Sequence, residues 1–246
     1  MDVMDKPQSL EKAYKNLEFL NSRGARTIRI LSEYVEPLQR MTELKVNSTV
    51  LFVGSAKAEP EDKNSLLYKY YWEAEELAFK LAQWAIKLKP KGKNFVICTG
   101  GGPGIMEAAN RGAARAGGKS IGMNISLPHE QKPNPYISDD LSFLFHYFFM
   151  RKFWLVYMAK AIIAFPGGYG TMDELFETLT LVQTKKMNKK KLLICLYGEE
   201  YWREIINFDA LIKYKTIDPE DVDMFTYCSN PEEAFSVIKK DLDGFW

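Results

Sequence analysis

The run FVICTGGGPGIMEAANRGAARAGGKSIGMNI, residues 95–125, holds the pattern that decides the fold. Phe95, Val96, Ile97 and Cys98 form a short unbroken apolar stretch bounded by turn residues, which predicts a buried strand. It enters Thr99-Gly100-Gly101-Gly102-Pro103-Gly104, and a helix follows from Ile105 to Ala116. Gly117 and Gly118 suit the C-terminal stop of that helix, and Lys119 to Ile125 reads as the next strand. A strand, a glycine-rich turn, a helix and another strand make the unit of a parallel sheet.

The same alternation extends both ways. Upstream, Thr49 to Val53 predicts a short buried strand ended by Gly54-Ser55. An amphipathic helix follows, with Leu67, Tyr70, Ala74, Leu77, Leu81 and Leu88 on one side. Downstream, the polar, proline-bearing stretch Pro128 to Asp140 predicts a surface loop. Then come a strand at Leu141 to Phe145, a helix at Phe149 to Lys160 and a buried strand at Ala161 to Phe165. That strand enters Pro166-Gly167-Gly168-Tyr169-Gly170-Thr171 and a helix from Met172 to Gln183, and Lys191 to Leu196 is the last clear core strand. The expected class is α/β, a parallel sheet covered by helices on both faces. Ahead of it, apolar groups recur at helical spacing at Leu10, Ala13, Leu17 and Leu20. They recur again, past Arg23-Gly24, at Ile28, Leu31, Val35, Leu38 and Met41, where Pro37 implies a kink or restart. Residues 1–46 are therefore read as an N-terminal helical extension, for packing or oligomer contact, and 47–246 as the nucleotide-binding domain.

Composition narrows the function. With 246 residues and 46% hydrophobic content the chain can bury a full core. Lysine plus arginine total 33 against 32 acidic residues, a balance that speaks against a broad nucleic-acid-binding face. The clusters Lys185-Lys186 and Lys189-Lys190-Lys191 have no aromatic stacking platform and read as a solvated loop. No apolar run reaches membrane-span length, and the N-terminus lacks a signal core. The three cysteines, Cys98, Cys195 and Cys228, read as buried reduced thiols, so a cytoplasmic location is expected. Neither His129 nor His146 has a partner at metal-ligand spacing, and His129-Glu130 lacks the second histidine of a zinc-protease motif; no metal is expected.

Both glycine-rich loops fall at the carboxyl end of a strand, where open parallel sheets bind ligands. Glycines let a ligand approach the backbone, and the following helix offers unpaired amides and a positive dipole end. Gly118-Lys119-Ser120 is not a Walker loop, because the required first glycine is Ala113 and Lys119 opens a strand. Neither loop fits the dinucleotide fingerprint: the closing position is Glu107 in one and Asp173 in the other. One such loop alone is equally explained as a tight turn; two together favour a nucleotide or sugar phosphate. The second adds Glu174, read as lying in the first helical turn, where the dipole keeps it ionised. A fixed carboxylate suits the oxocarbenium character that develops when a glycosidic bond breaks, although Asp173 and Glu174 are also ordinary helix-start acids. Arg151 can bind phosphate or a leaving base through paired donors, or close a salt bridge at a helix start.

The stretches Thr99 to Ala113 and Pro166 to Glu174, with Phe148-Phe149-Met150-Arg151-Lys152 between them, resemble the signatures of the LOG ("lonely guy") family. These are phosphoribohydrolases that act on AMP-like and cytokinin riboside monophosphates, many labelled possible lysine decarboxylase. The resemblance runs from about Thr49 to Lys191. It implies a Rossmann-like sheet, a homodimer or higher homo-oligomer, and no cofactor. It implies catalysis by Arg151 and Glu174, and phosphate binding by Gly167, Gly168, Gly170 and Thr171. Gly54, Ser55, Gly101, Gly102 and Glu107 would line the rest of the nucleotide pocket, and Met150 would wall the base. The apolar Phe-Trp-Leu-Val-Tyr after Lys152 and the helical extension resemble longer bacterial members more than the plant form. The expected reaction is cleavage of a nucleoside 5′-monophosphate to free base and ribose 5-phosphate. A non-catalytic nucleotide-binding or sensor module on the same fold is the alternative. A pyridoxal-phosphate decarboxylase is disfavoured, since no Schiff-base lysine context is found.

Overall fold

The computed structural model describes residues 10–127, 132–187 and 192–244. His129 and Glu130, and Lys189 to Lys191 of the basic cluster, lie outside the described residues. The strands are β1 (Thr49–Val53), β2 (Val96–Thr99), β3 (Ser120–Ile125), β4 (Ser142–Phe145), β5 (Ala159–Ala164), β6 (Leu193–Tyr197) and β7 (Thr226–Cys228). They form one seven-stranded sheet, parallel throughout, in the order β4-β3-β2-β1-β5-β6-β7. The helices are α1 (Leu17–Asn21), α2 (Arg26–Glu43), α3 (Tyr68–Leu88), α4 (Ile105–Arg115), α5 (Phe148–Tyr157), α6 (Tyr169–Gln183), α7 (Glu199–Ile205), α8 (Phe208–Lys213) and α9 (Pro231–Asp243).

Strand pleating divides the core into two layers. On β1, Val50 and Phe52 face a cluster with α3, α4 and α9, while Leu51 and Val53 face one with α2, α5, α6, α7 and α8. A central parallel strand buried on both faces needs apolar residues at successive positions, which is why Thr49–Val53 shows no alternation. Cys98, Cys195 and Cys228 are free and buried, and burial pushes the Cys98 thiol up to about 12. Among the described residues, no helix is long and apolar enough to cross a membrane.

Several boundaries move from their sequence expectation. The helix expected to reach Lys160 ends at Tyr157, because Ala159 pairs with Thr49 and opens β5. The periodic run near Leu10 shrinks to a 3-10 turn and the five-residue α1, with Leu10 and Leu17 exposed. β7 and the helices after β6 are additions to the predicted set. β7 is three residues long, too short for a periodic signal, and gains strand geometry from the edge of β6. α9 does carry legible signals: Asn230 caps it, Pro231 begins it, and Ala234, Ile238 and Leu242 repeat on its buried face.

Helix α2 runs unbroken through Pro37 and does not restart there. Proline has no N–H for the carbonyl four residues back, which belongs to Glu33. That carbonyl instead accepts from the indole Nε1 of Trp154 on α5, at 3.0 Å. The Glu33 side chain meanwhile accepts from the backbone amides of His146 (2.7 Å) and Tyr147 (3.2 Å), at the start of α5. Glu33 thus satisfies amides at the start of α5, while α5 in turn satisfies the carbonyl that Pro37 leaves open on α2. The extension is accordingly packed onto the domain, with Met41 in the core and Arg40 Nη1 donating to the Ser142 carbonyl at 2.8 Å.

Substituting Glu33→Ala leaves both amides without their acceptor and is expected to cost about 1–3 kcal/mol in urea unfolding, with Glu33→Gln losing less. A Glu33→Ala midpoint equal to that of the wild type would refute this clamp.

Candidate active site

The chain runs from β1 outward to β4 on one side and from β5 outward to β7 on the other. β1 and β5 therefore flank the point where strand order reverses, and their carboxyl ends open a crevice. Two hydrogen bonds continue the pairing beyond the strands: Phe165 N to the Val53 carbonyl (2.9 Å) and Ser55 N to the Pro166 carbonyl (3.0 Å). Ile105 N, at the start of α4, donates to the Ser55 carbonyl at 3.0 Å. Gly104 makes that approach possible: its φ is +70°, and a Cβ there would lie 2.2 Å from the Ser55 oxygen. The three loops are thereby locked to one another.

They enclose a cavity of about 360 Å³. Of the residues expected at the site, Gly54, Ser55, Arg151, Gly168, Gly170, Thr171 and Glu174 line it. Arg151 comes from the first turn of α5 and Glu174 from α6; Arg151 Nη2 lies 3.1 Å from Glu174 Oε1. The two side chains are only 15% and 11% exposed, so the pair is held away from bulk water. A Cβ on Gly100 would lie 2.9 Å from Met106 Sδ and 3.4 Å from Arg151 Nη2, so the bare backbone there makes room for the guanidinium. The neighbouring Lys152 bridges Asp173 and Glu177 of α6 at 2.9 Å each.

The electrostatics of Glu174 differ from expectation. Helix α6 begins at Tyr169, so Glu174 falls beyond the first turn. Burial dominates there and raises its carboxyl above the ordinary range, opposed by the Arg151 charge and hydrogen bond. The helix dipole acts only within the terminal turn, whereas desolvation acts wherever the group is buried.

The N-terminus of α6 suits an anion. Gly168 is the N-cap and supplies no side chain, and the first intrahelical bond runs from Met172 N to the Gly168 carbonyl. The amides of Tyr169, Gly170 and Thr171 precede it without a side-chain cap. A Cβ on Gly168 or Gly170 would meet nothing within 4 Å. Gly167 differs: its Cβ would lie 2.1 Å from Thr171 Oγ1, and its carbonyl accepts from Tyr201 OH at 2.7 Å, so packing of the turn requires this glycine.

The other expected residues lie outside the cavity lining. Met150 is buried in the core, and Glu107 accepts from Tyr71 OH at 2.9 Å. The carbonyls of Gly101 and Gly102 accept from Asn134 Nδ2 at 3.2 and 3.0 Å, and Asn134 Nδ2 also reaches Asn110 Oδ1 at 3.0 Å. Asn134 is buried, although its segment was expected on the surface. The first glycine loop is thus fastened from behind by asparagines and enters the cavity only through Gly100. Lys57, Gly100 and Met106 also line the cavity; Gly100 and Met106 belong to the stretch Thr99 to Ala113, and Lys57 lies two residues past Ser55. Among the described residues no group of three or more His, Cys, Asp or Glu converges to hold a metal.

A family model described as possible lysine decarboxylase matches residues 106–238. The pyrimidine/purine nucleotide 5′-monophosphate nucleosidase of Escherichia coli (strain K12) is 32% identical over 124 residues, 46% of this chain and 27% of that protein. The rice (Oryza sativa subsp. japonica) protein named probable cytokinin riboside 5′-monophosphate phosphoribohydrolase LOGL5 is 31% identical over 115 residues, 46% of this chain and 45% of that one. The match thus spans less than half the length of either relative. The X-ray structure of TM1055 superposes with a TM-score of 0.53 at 22% identity, over 78% of this chain and 99% of that one. The Moco carrier protein of Chlamydomonas reinhardtii gives 0.52 at 18%, over 80% and 99%. These two share the fold.

The glycines separate experimentally. Gly167→Ala is expected to destabilise by about 1–3 kcal/mol through overpacking. Gly170→Ala, in a helix with open space at Cβ, is expected to be neutral or stabilising by up to about 1 kcal/mol. Denaturant midpoints that fail to rank in this order would refute the packing described.

Proposed function

Because the chain belongs to the LOG family, whose model is described as possible lysine decarboxylase, we propose that it hydrolyses the N-glycosidic bond of nucleoside 5′-monophosphates to free base and ribose 5-phosphate. Its relatives are named as nucleotide nucleosidase and phosphoribohydrolase, which supports a hydrolase at the level of the family. One observation carries the reading for this chain: a buried arginine–glutamate pair shares a single cavity with an uncapped helix start whose glycines are open to a ligand.

In this reading the 5′-phosphate sits on the amides of Tyr169, Gly170 and Thr171, where a dianion gains both hydrogen bonds and the helix dipole. Anchoring that end directs the ribose toward Glu174. Bond cleavage places positive charge on the anomeric carbon and its ring oxygen, and a carboxylate in a water-poor cleft stabilises it far more than in bulk water. The same carboxylate orients the attacking water and takes its proton as the new C–O bond forms. The base leaves with the C–N electron pair and takes up a proton from the solvent, to which Glu174 returns the one it took. Arg151 counters the desolvation of Glu174, keeping it ionised, and offers further donors to the departing base. No step calls for an organic cofactor. A nucleoside monophosphate partner, self-association and a cytoplasmic location belong to the same reading.

AMP is the first substrate to test, beside the other nucleoside monophosphates and cytokinin riboside monophosphates, with both products identified. Glu174→Gln is expected to lower kcat by at least about a hundredfold while AMP still binds. AMP binding to the wild type without base release would instead mark a non-catalytic module. The pH profile has a defined sign. Since burial raises the Glu174 carboxyl above its ordinary 4.5, activity that needs the carboxylate is present at high pH. It is lost as pH falls through a value above 4.5, and Arg151→Gln moves that loss to higher pH. An acid limb at or below 4.5 would exclude Glu174 as the titrating group.

A further inference from the structure

Resting on that reading, we propose that Lys57 is a second phosphate-recognition group, which makes the cavity select nucleoside monophosphates over nucleosides. Three ionisable side chains line the cavity: Lys57, Arg151 and Glu174. Arg151 and Glu174 are engaged with each other. Lys152, next in the chain to Arg151, is committed to Asp173 and Glu177. Lys57 forms no ion pair with a carboxylate among the described residues, including Glu59 and Glu61 that follow it. The cavity's uncompensated positive charge is therefore the ammonium of Lys57.

Its placement suits a phosphate. Lys57 lies on the loop after β1, and the open glycines of α6 line the same space. The loop is anchored around it. Lys57 N donates to Ser55 Oγ at 3.1 Å, Ser55 N bonds the Pro166 carbonyl, and Ala58 is buried beneath. With its oxygen accepting from Lys57 N, the Ser55 hydroxyl keeps a proton to donate to an anion. A monoester dianion would then be held by α6 amides and by a mobile cation on the loop after β1. Such a point charge adapts to the phosphate without demanding one orientation. An uncharged nucleoside gains nothing from it. Lys57 should act on binding rather than on bond cleavage, because the reacting carbon is assigned to Glu174.

The test is Lys57→Met, which keeps the apolar stem and removes the charge, with Lys57→Arg as the conservative control. For Lys57→Met, KM for AMP is expected to rise roughly ten- to a hundredfold with kcat within about twofold, and Lys57→Arg to recover most of the loss. The salt dependence of kcat/KM should flatten in Lys57→Met. Calorimetric titration with ribose 5-phosphate and with adenosine keeps the result independent of catalysis. Weaker ribose 5-phosphate binding with adenosine unaffected supports the assignment even where no base is released. Unchanged ribose 5-phosphate affinity, equal weakening of adenosine, or a fall in kcat alone would overturn it.

Discussion

The parallel pairing of β1 with β5 is the constraint on which the rest depends. It joins two strands far apart in sequence, reverses the strand order at that seam, and leaves a crevice at their carboxyl ends. The Ser55 and Phe165 hydrogen bonds extend the pairing past the strands, so the loops are part of the sheet's rigidity rather than appendages to it. Gly104 and Gly167 allow these contacts, because a side chain at either would overlap backbone or Thr171. A cavity framed this way has little freedom to collapse when empty.

Into that frame α5 and α6 bring opposite charges. A buried pair bears a desolvation cost that its own attraction only partly offsets, so geometry must be enforced from outside. Lys152 supplies one fastening by joining the same two helices through Asp173 and Glu177. The other comes from α2, where Glu33 binds the start of α5 by its carboxylate and Trp154 by its carbonyl. Pro37 is what frees that carbonyl for the indole. The helical extension, silent in chemical terms, therefore helps hold the arginine against the glutamate.

The glycines illustrate how one residue type serves opposed ends. Those at 104 and 167 are bare because protein atoms occupy the space; those at 168 and 170 are bare beside empty space at a helix start. Only the second kind suits a ligand. The loop at 100–104 similarly looks like a twin of the loop at 166–171, yet Asn134 engages its carbonyls from within the protein and is itself held by Asn110 Oδ1.

Local pattern was enough to determine the alternation of strands and helices, the layered α/β class and both strand-end loops. Buried strands, amphipathic helices and turn residues announce themselves over a few neighbouring positions. The same local view offered chemical roles for Arg151 and Glu174 but left each equally readable as a charged residue at a helix start, and it passed over Lys57 and β7. Their partners are distant in sequence: Arg151 meets Glu174 across two helices, and β7 exists by pairing with β6. Tertiary structure alone decided that β1 lies beside β5, that Glu174 is buried, and that its proton is held more tightly than a helix dipole would allow. Periodicity is a property of neighbours along the chain, whereas dielectric environment and charge pairing are set by whatever folding brings within a few ångströms.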